Sequence, residues 1–331
     1  MQTDLSQDFL FQRIREILPP QLSLVDVVSE ILHVSSDSAY RRIRGETPLV
    51  LEEARQICLH FNLSLDQVLN IRSGYTLFQT TRIDNNAYSF ENYLQDILNH
   101  LENIDSFMHK QIIYLTKDIP IFYNFSSEAL FAFRYFFWMK SFLQHATYKD
   151  AKFSIDCLTP EIKNLGSKII NRYMHIPSTE ILNTECVDSL IFQIEYYKDA
   201  GYFASKSDVR LVYEGLEHQV EHIRDQAEAG CKFLNGENPQ YKKDNYKCVF
   251  NRVLLGDTTI LIITDHLKTL FLNYDALNYM ITRDEKFCND VHNDLINLIK
   301  QSTQISSVSE KQRNSFFNIL ISKIEARKKY V

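Results

Sequence analysis

Three guanidinium groups fall within four consecutive positions of the run Asp37-Ser38-Ala39-Tyr40-Arg41-Arg42-Ile43-Arg44. Arginine presents a planar fork of donors that bonds guanine O6 and N7, or a phosphate, at two points. Serine hydroxyls donate to or accept from base edges and phosphates. A second run, His218-Gln219-Val220-Glu221-His222, sets two imidazoles four residues apart with a carboxylate beside one of them. That is the H-x-x-E-H pattern of an inverted zinc peptidase, in which the imidazoles share a metal and the carboxylate acts as base. The runs G-x-S-x-G, G-x-x-x-x-G-K-[ST] and G-x-G-x-x-G do not occur, so acyl, phosphoryl and hydride chemistry have no readable site.

Both runs depend on helices to aim their side chains. At about 100° per residue, Ala39, Tyr40 and Ile43 share one wall of a short helix and are expected to face a core. Ser38, Arg41 and Arg42 fall on the opposite wall, flanked by Arg44 and Asp37. Val34-Ser35-Ser36 supplies a turn with N-capping hydroxyls, and Gly45 supplies the C-terminal stop. An apolar stripe runs through Phe9, Phe11, Ile14, Ile17 and Leu18 and ends at Pro19-Pro20, which stops a first helix. Further helices are expected over 24–32 and 51–61, and the box Ser64-x-x-Gln67 opens a fifth. Around the second run, Val212, Leu216, Val220, Ile223, Ala227 and Cys231 mark one apolar face of a long helix over 208–234. His218 and His222 lie roughly opposite, with Glu214, Glu221 and Asp225, as on a solvated face. No metal, cofactor or catalytic residue is therefore expected.

The segment Leu24 to Leu69, with its apolar helix, the turn HVSSDS, the basic helix AYRRIRGE and the tail FNLSLDQVL, resembles the Cro and phage-repressor class of helix-turn-helix domains, the XRE family. His33 stands where that family usually has a turn glycine, so this turn is made by a residue with a Cβ. The resemblance implies a lambda-repressor-like domain whose Asp37–Arg44 helix enters the major groove of double-stranded DNA. Ser36, Ser38, Arg41, Arg42 and Arg44 are then the DNA-binding residues, and Arg55 is a further phosphate contact. It also implies a homodimer reading two half-sites. The alternative is a solvated basic face on a protein-interaction module. Residues 1–70 favour that alternative in one respect: six arginines and no lysine stand against ten acidic residues, a net charge of −4, which weakens counterion release.

The remaining four-fifths of the chain does not declare its chemistry. A length of 331 residues suggests about two domains, and only 8 Gly and 7 Pro suggest long helices. A net charge of −6 excludes a general nucleic-acid sponge. Six widely spaced cysteines with no CxxC pair suit buried thiols in a reducing cytoplasm. The N-terminus is unlike a signal peptide. The run Ala129 to Leu143, interrupted by Arg134 and Lys140, is too short to span a bilayer, so no membrane partner is expected.

Residues 71–88 lose helical period and read as linker. A narrow stripe of Leu94, Ile97, Leu98, Leu101, Ile104 and Met108 resembles a packing seam, against the same chain or a second copy. Phe153–Leu158 is a candidate strand, and Thr159-Pro160-Glu161 starts a helix. Runs 246–254, 258–264 and 267–272 read as an antiparallel meander. Thr282-x-x-Glu285 and Ser309-x-x-Gln312 open the last two helices. The expected fold is mainly α: a helix-turn-helix domain (1–72), a linker (73–88), a helical connector or dimerisation region (89–149), and a helix-rich α+β regulatory domain with a small antiparallel sheet (150–331). The aromatic stretch 119–143 is a candidate pocket wall for a small-molecule effector, and a protein effector is the other option. The sequence-level expectation is a non-enzymatic cytoplasmic DNA-binding regulator. An enzyme whose site is scattered through 150–331 is the remaining alternative.

Overall fold

The computed structural model describes residues 5–19, 21–65, 75–80, 83, 88–238, 245–252 and 256–330 of the chain. Gln67 of the box Ser64-x-x-Gln67 and half of the 73–88 linker lie outside the described residues.

Among the described residues, four helices form the N-terminal unit: α1 (Leu5–Ile17), α2 (Leu24–Leu32), α3 (Ser36–Ile43) and α4 (Leu51–His60). Their apolar stripes meet in a small core of their own, built on Phe11, Ile14, Val28, Ala39, Ile43 and Ile57. The helix boundaries follow local chemistry. Ser23 and Ser35 each cap the next helix by accepting a backbone N–H. His33 ends α2 at φ 53° and ψ 42°, so the left-handed turn is indeed made without glycine. Gly45, at φ 71°, takes the same region after α3 at no steric cost.

The larger unit is built on α5 (Phe90–Ser106), β2 (Lys110–Leu115), α6 (Glu128–Phe137), α7 (Pro160–His175), β3 (Ser178–Leu182), α8 (Asp188–Asp199) and α9 (Lys206–Ala229). It continues with β4 (Tyr246–Phe250), β5 (Thr259–Thr264), β6 (Lys268–Asn273), β7 (Tyr279–Thr282), α10 (Glu285–Gln301), β8 (Thr303–Gln304) and α11 (Glu310–Lys328). With β1 (Gln79–Thr80) the strands form one sheet in the order β1-β7-β6-β5-β2-β3-β4-β8. β2, β3 and β4 are parallel and the remaining pairs antiparallel.

This corrects the expected fold class. The protein is α/β, with a single eight-stranded mixed sheet among the described residues, and not mainly α with a small antiparallel sheet. The hairpin between β5 and β6 exists, but β4 is no part of a meander, because β2 and β3 lie between it and β5. The candidate strand at 153–158 reduces to one isolated bridge, Phe153 to Phe203, and a turn of 3-10 helix.

Successive residues of each strand point to opposite faces of the sheet, and helices cover both. Ile113, Ile181, Val249, Leu261 and Leu270 face α10, packing on Cys288 and Leu295. Ile112, Tyr114, Leu182, Tyr246, Ile260 and Ile262 face the main core, shared with α5, α6, α7, α9 and α11. That core joins residues on both sides of position 150, so the expected boundary between a connector and a regulatory domain separates no two cores. Leu94, Leu98, Leu101 and Ile104 of α5 are buried in it. The seam is thereby used within the chain, which corrects the idea of a dimer stripe there, and Met108 lies past the helix and is exposed. Arg13 of α1 pairs with Glu285 at the head of α10 at 3.0 Å, tying the two units.

Candidate functional site

The only face of α3 that enters the N-terminal core is narrow. Ala39 and Ile43, about 40° apart on the helical wheel, are buried. Ser36, Asp37, Tyr40, Arg41 and Arg44 are exposed and span an arc of about 140°. Tyr40 is 47% exposed, which corrects its expected place in the core. The Arg44 guanidinium lies 5.5 Å from the Tyr40 ring centre.

Arg42 is the second correction. Its side chain is 17% exposed and is held by Glu53 of α4, with Nε donating to Oε2 at 3.1 Å and Nη2 to Oε1 at 2.8 Å. Its Nη1 also donates to the Ser38 carbonyl at 3.2 Å. The same Glu53 carboxylate accepts the Val50 N–H at the head of α4 at 3.3 Å. Hydrogen bonding to Glu53 raises the Arg42 pKa and, reciprocally, lowers that of Glu53. Arg42 therefore positions α3 on α4 and is not offered to a ligand. Ser38 is half-buried, and its hydroxyl sits 3.0 Å from that of Ser35 in the N-cap. The outward face is thus turned by roughly a residue step, about 100°, from the Ser38/Arg41/Arg42 wall read from the sequence.

What remains outward is Ser36 and the acidic Asp37 at the helix start, the Tyr40 ring, and the Arg41 and Arg44 side chains, the last two 57% and 59% exposed. Their nearest counter-charge is Glu46, at 3.9 Å from Arg41 and 3.6 Å from Arg44. Both distances are loose for a charge-assisted bond, so the two guanidinium groups are displaceable donors. Arg55 is engaged on its own helix by Glu52, with Nη2 to Oε1 at 2.5 Å. A residue not singled out from the sequence, Gln7 of α1, fixes the exit from α3. Its Nε2 donates to the Arg42 and Thr47 carbonyls at 2.7 and 2.9 Å, and its Oε1 accepts the Leu49 N–H at 2.9 Å. An isolated glutamine near a first helix carries no signal of that role in one dimension.

Comparison of the chain with protein-family models, with curated proteins and with solved structures finds no match.

The H-x-x-E-H run does not form a metal site. His218 is exposed, whereas His222 is buried, which corrects its expected place on the solvated face. The His222 Nε2 contacts the Phe233 carbonyl at 2.8 Å. Among the described residues, no group of three His, Cys, Asp or Glu side chains could hold a metal ion. No helix among them is long and apolar enough to cross a membrane.

His222 belongs to a buried polar chain that the sequence reading did not find. Glu180, in the middle of β3, is fully buried and accepts hydroxyl protons from Tyr173 at 2.5 Å, Tyr246 at 2.9 Å and Tyr123 at 3.2 Å. Tyr123 is also 2.8 Å from Gln226, which reaches His222 at 3.0 Å. Lys232, likewise fully buried, donates to the Tyr173 carbonyl at 2.7 Å, with Nζ 3.6 Å from the Tyr173 ring centre. Burial pushes the Glu180 carboxyl up and the Lys232 ammonium down to about 7. These groups are closed off from solvent and tie β3, β4, α7 and α9 together.

Proposed function

We propose that the chain is a sequence-specific DNA-binding regulator that inserts α3 into a major groove. The observation that carries this reading is the outward face of α3, where Ser36, Tyr40, Arg41 and Arg44 stand clear of the core on a helix braced by Arg42–Glu53 and Gln7. The resemblance of residues 24–69 to the phage-repressor class supports the same docking mode. In this mode Arg41 reads a base edge, Arg44 stacks on Tyr40 or meets a phosphate, and the exposed start of α3 meets the backbone. A cytoplasmic homodimer would place two such helices about one helical turn apart.

Selection of fragments from sheared genomic DNA by the purified chain, at stated salt, tests the proposal and reads half-site symmetry. A bound consensus supports it. Arg41→Ala should then weaken the selected site by about 10- to 100-fold, the equivalent of one bidentate base contact, with the fold intact. Retention of no sequence, or full affinity in the Arg41→Ala, Arg44→Ala double variant, would overturn it. The second reading, a protein-interaction module, draws on the exposed Val50, Leu51 and Leu59 around α4 and on the acidic charge of residues 1–70.

A further inference from the structure

Between α5 and the sheet lies a cavity of about 120 Å³. Protein interiors are packed to crystal density and seldom leave room for more than a water. One water occupies about 30 Å³ of liquid, so this space would hold several. Its walls do not suit them. Ile97 and Ile104 of α5, Ile112 of β2, Ile262 of β5 and Phe271 of β6 are among its mostly apolar walls. Of the candidate aromatic stretch 119–143, only Ile121 and Phe122 reach it.

The polar groups on the wall that are shielded from solvent have, with one exception, found partners. Asp96 accepts the Tyr88 hydroxyl. Asn278 accepts the Ile83 N–H at 3.2 Å and donates to Asp275 at 2.9 Å. Tyr279 lies close to Tyr114. His100 is exposed, edge-on to Phe271 at 5.7 Å. The exception is Tyr93, buried at 8% exposure on the same wall, whose hydroxyl has no hydrogen-bond partner. A buried donor is almost always paired, and this one lies against an unfilled apolar space.

We propose that this cavity is a binding site for a small uncharged apolar molecule, the size of one substituted ring, whose single acceptor atom takes the Tyr93 hydroxyl proton. Size and lining set the apolar body, since apolar spaces of this order take ring-sized guests. The Tyr93 hydroxyl sets the acceptor. Charge is disfavoured: no lysine or arginine lines the cavity to neutralise an anion, His100 being its one basic side chain, and Asp96, the one carboxylate, is already engaged by Tyr88. The proposal rests on no part of the DNA reading, and its test uses no DNA.

Phenol and toluene are matched in shape and differ in the acceptor, so they are the probes. Titration of the full chain, followed by calorimetry and by shifts of methyl resonances, should show saturable binding of both. Phenol should bind roughly two- to tenfold more tightly, the worth of one neutral hydrogen bond. Tyr93→Phe should erase that preference and leave toluene binding in place. The ligand-free Tyr93→Phe protein should also melt no lower than the parent, because an unpaired hydroxyl is removed. Ile104→Phe, which fills the space, should abolish binding of both probes. Absence of saturable binding to the folded parent, a phenol preference that survives Tyr93→Phe, a lower melting temperature in ligand-free Tyr93→Phe, or undiminished binding to a folded Ile104→Phe would each overturn the proposal.

Discussion

The Arg42 guanidinium and the Glu53 carboxylate meet at two points, 2.8 and 3.1 Å apart, across the gap between α3 and α4. The pair is largely shielded, at 17% and 19% side-chain exposure. Two charge-assisted bonds in that setting contribute on the order of 1–3 kcal/mol. Either Arg42→Ala or Glu53→Ala should therefore lower the stability of the N-terminal unit by about that amount, read as an earlier urea midpoint. The double variant should cost less than the two singles together. DNA affinity per folded molecule should change little. A stable Arg42→Ala protein that has lost binding would return Arg42 to the reading face.

Glu46 sits 3.6 Å from Arg44 and 3.9 Å from Arg41, with all three side chains about half exposed. Such loose surface pairs are worth little to the fold, so Glu46→Gln should leave the melting temperature within a degree or two. Its effect should appear on an anionic partner. Removal of the nearest competing carboxylate should raise DNA affinity several-fold and steepen its salt dependence, since each extra phosphate neutralised adds about 0.9 to the log–log slope. Unchanged affinity and slope would place both arginines away from the nucleic acid.

Part of the chain's punctuation was legible, because caps act locally, although Asp284 and not Thr282 caps α10 and Ser309 heads α11 without a side-chain cap bond. Ser35 caps α3 and Thr159-Pro160 opens α7, but the helix expected over 208–234 ends at Ala229, where Gly230 takes the left-handed region. The sheet was not, for a physical reason. β3 (Ser-Thr-Glu-Ile-Leu) is buried at all five positions, between two parallel neighbours and under helices on both sides. A strand covered on both faces has no alternation to read, and a central glutamate conceals it further. β2 begins four residues after α5 with no turn signal between. At the candidate site, the existence and length of α3 were readable, but not which arginine would be taken. That was decided by Glu53, eleven residues away on another helix. Tyr40 was misplaced because a core drawn from four short helices covers only the Ala39/Ile43 edge of α3.

Gly166 shows how tightly the helices over the sheet are fitted. A Cβ there would come within 2.6 Å of the Phe131 ring and 3.1 Å of the Phe125 ring. Both rings are buried, and they meet edge to face at 4.8 Å, so neither can swing aside cheaply. Gly166→Ala is a helix-favouring change that should nonetheless destabilise the larger unit by about 1–3 kcal/mol through overpacking. A rise in its thermal midpoint would mean that α6 and α7 are looser than this geometry implies.

The buried lysine gives the larger unit a pH signature. An unfolded chain holds the Lys232 proton to about pH 10.5, whereas burial in the folded protein lowers its release to about 7. Between those values the unfolded state binds more protons. Stability therefore climbs as pH rises through the window and is lost again as pH falls toward 7, by up to about 1.4 kcal/mol per pH unit. Glu180 works in the opposite sense. Its carboxyl is raised above the ordinary 4.5, so its contribution is full in acid and is lost as pH rises through its folded value. The tyrosines and thiols around the pair are all pushed upward by burial, which keeps their contributions above the range between pH 7 and 8.5. Urea midpoints across that range should rise for the parent chain, and Lys232→Met should flatten the dependence, whatever its effect on absolute stability. An identical slope in the two proteins would mean that Lys232 keeps its proton in the core, paired through the tyrosine-bound Glu180.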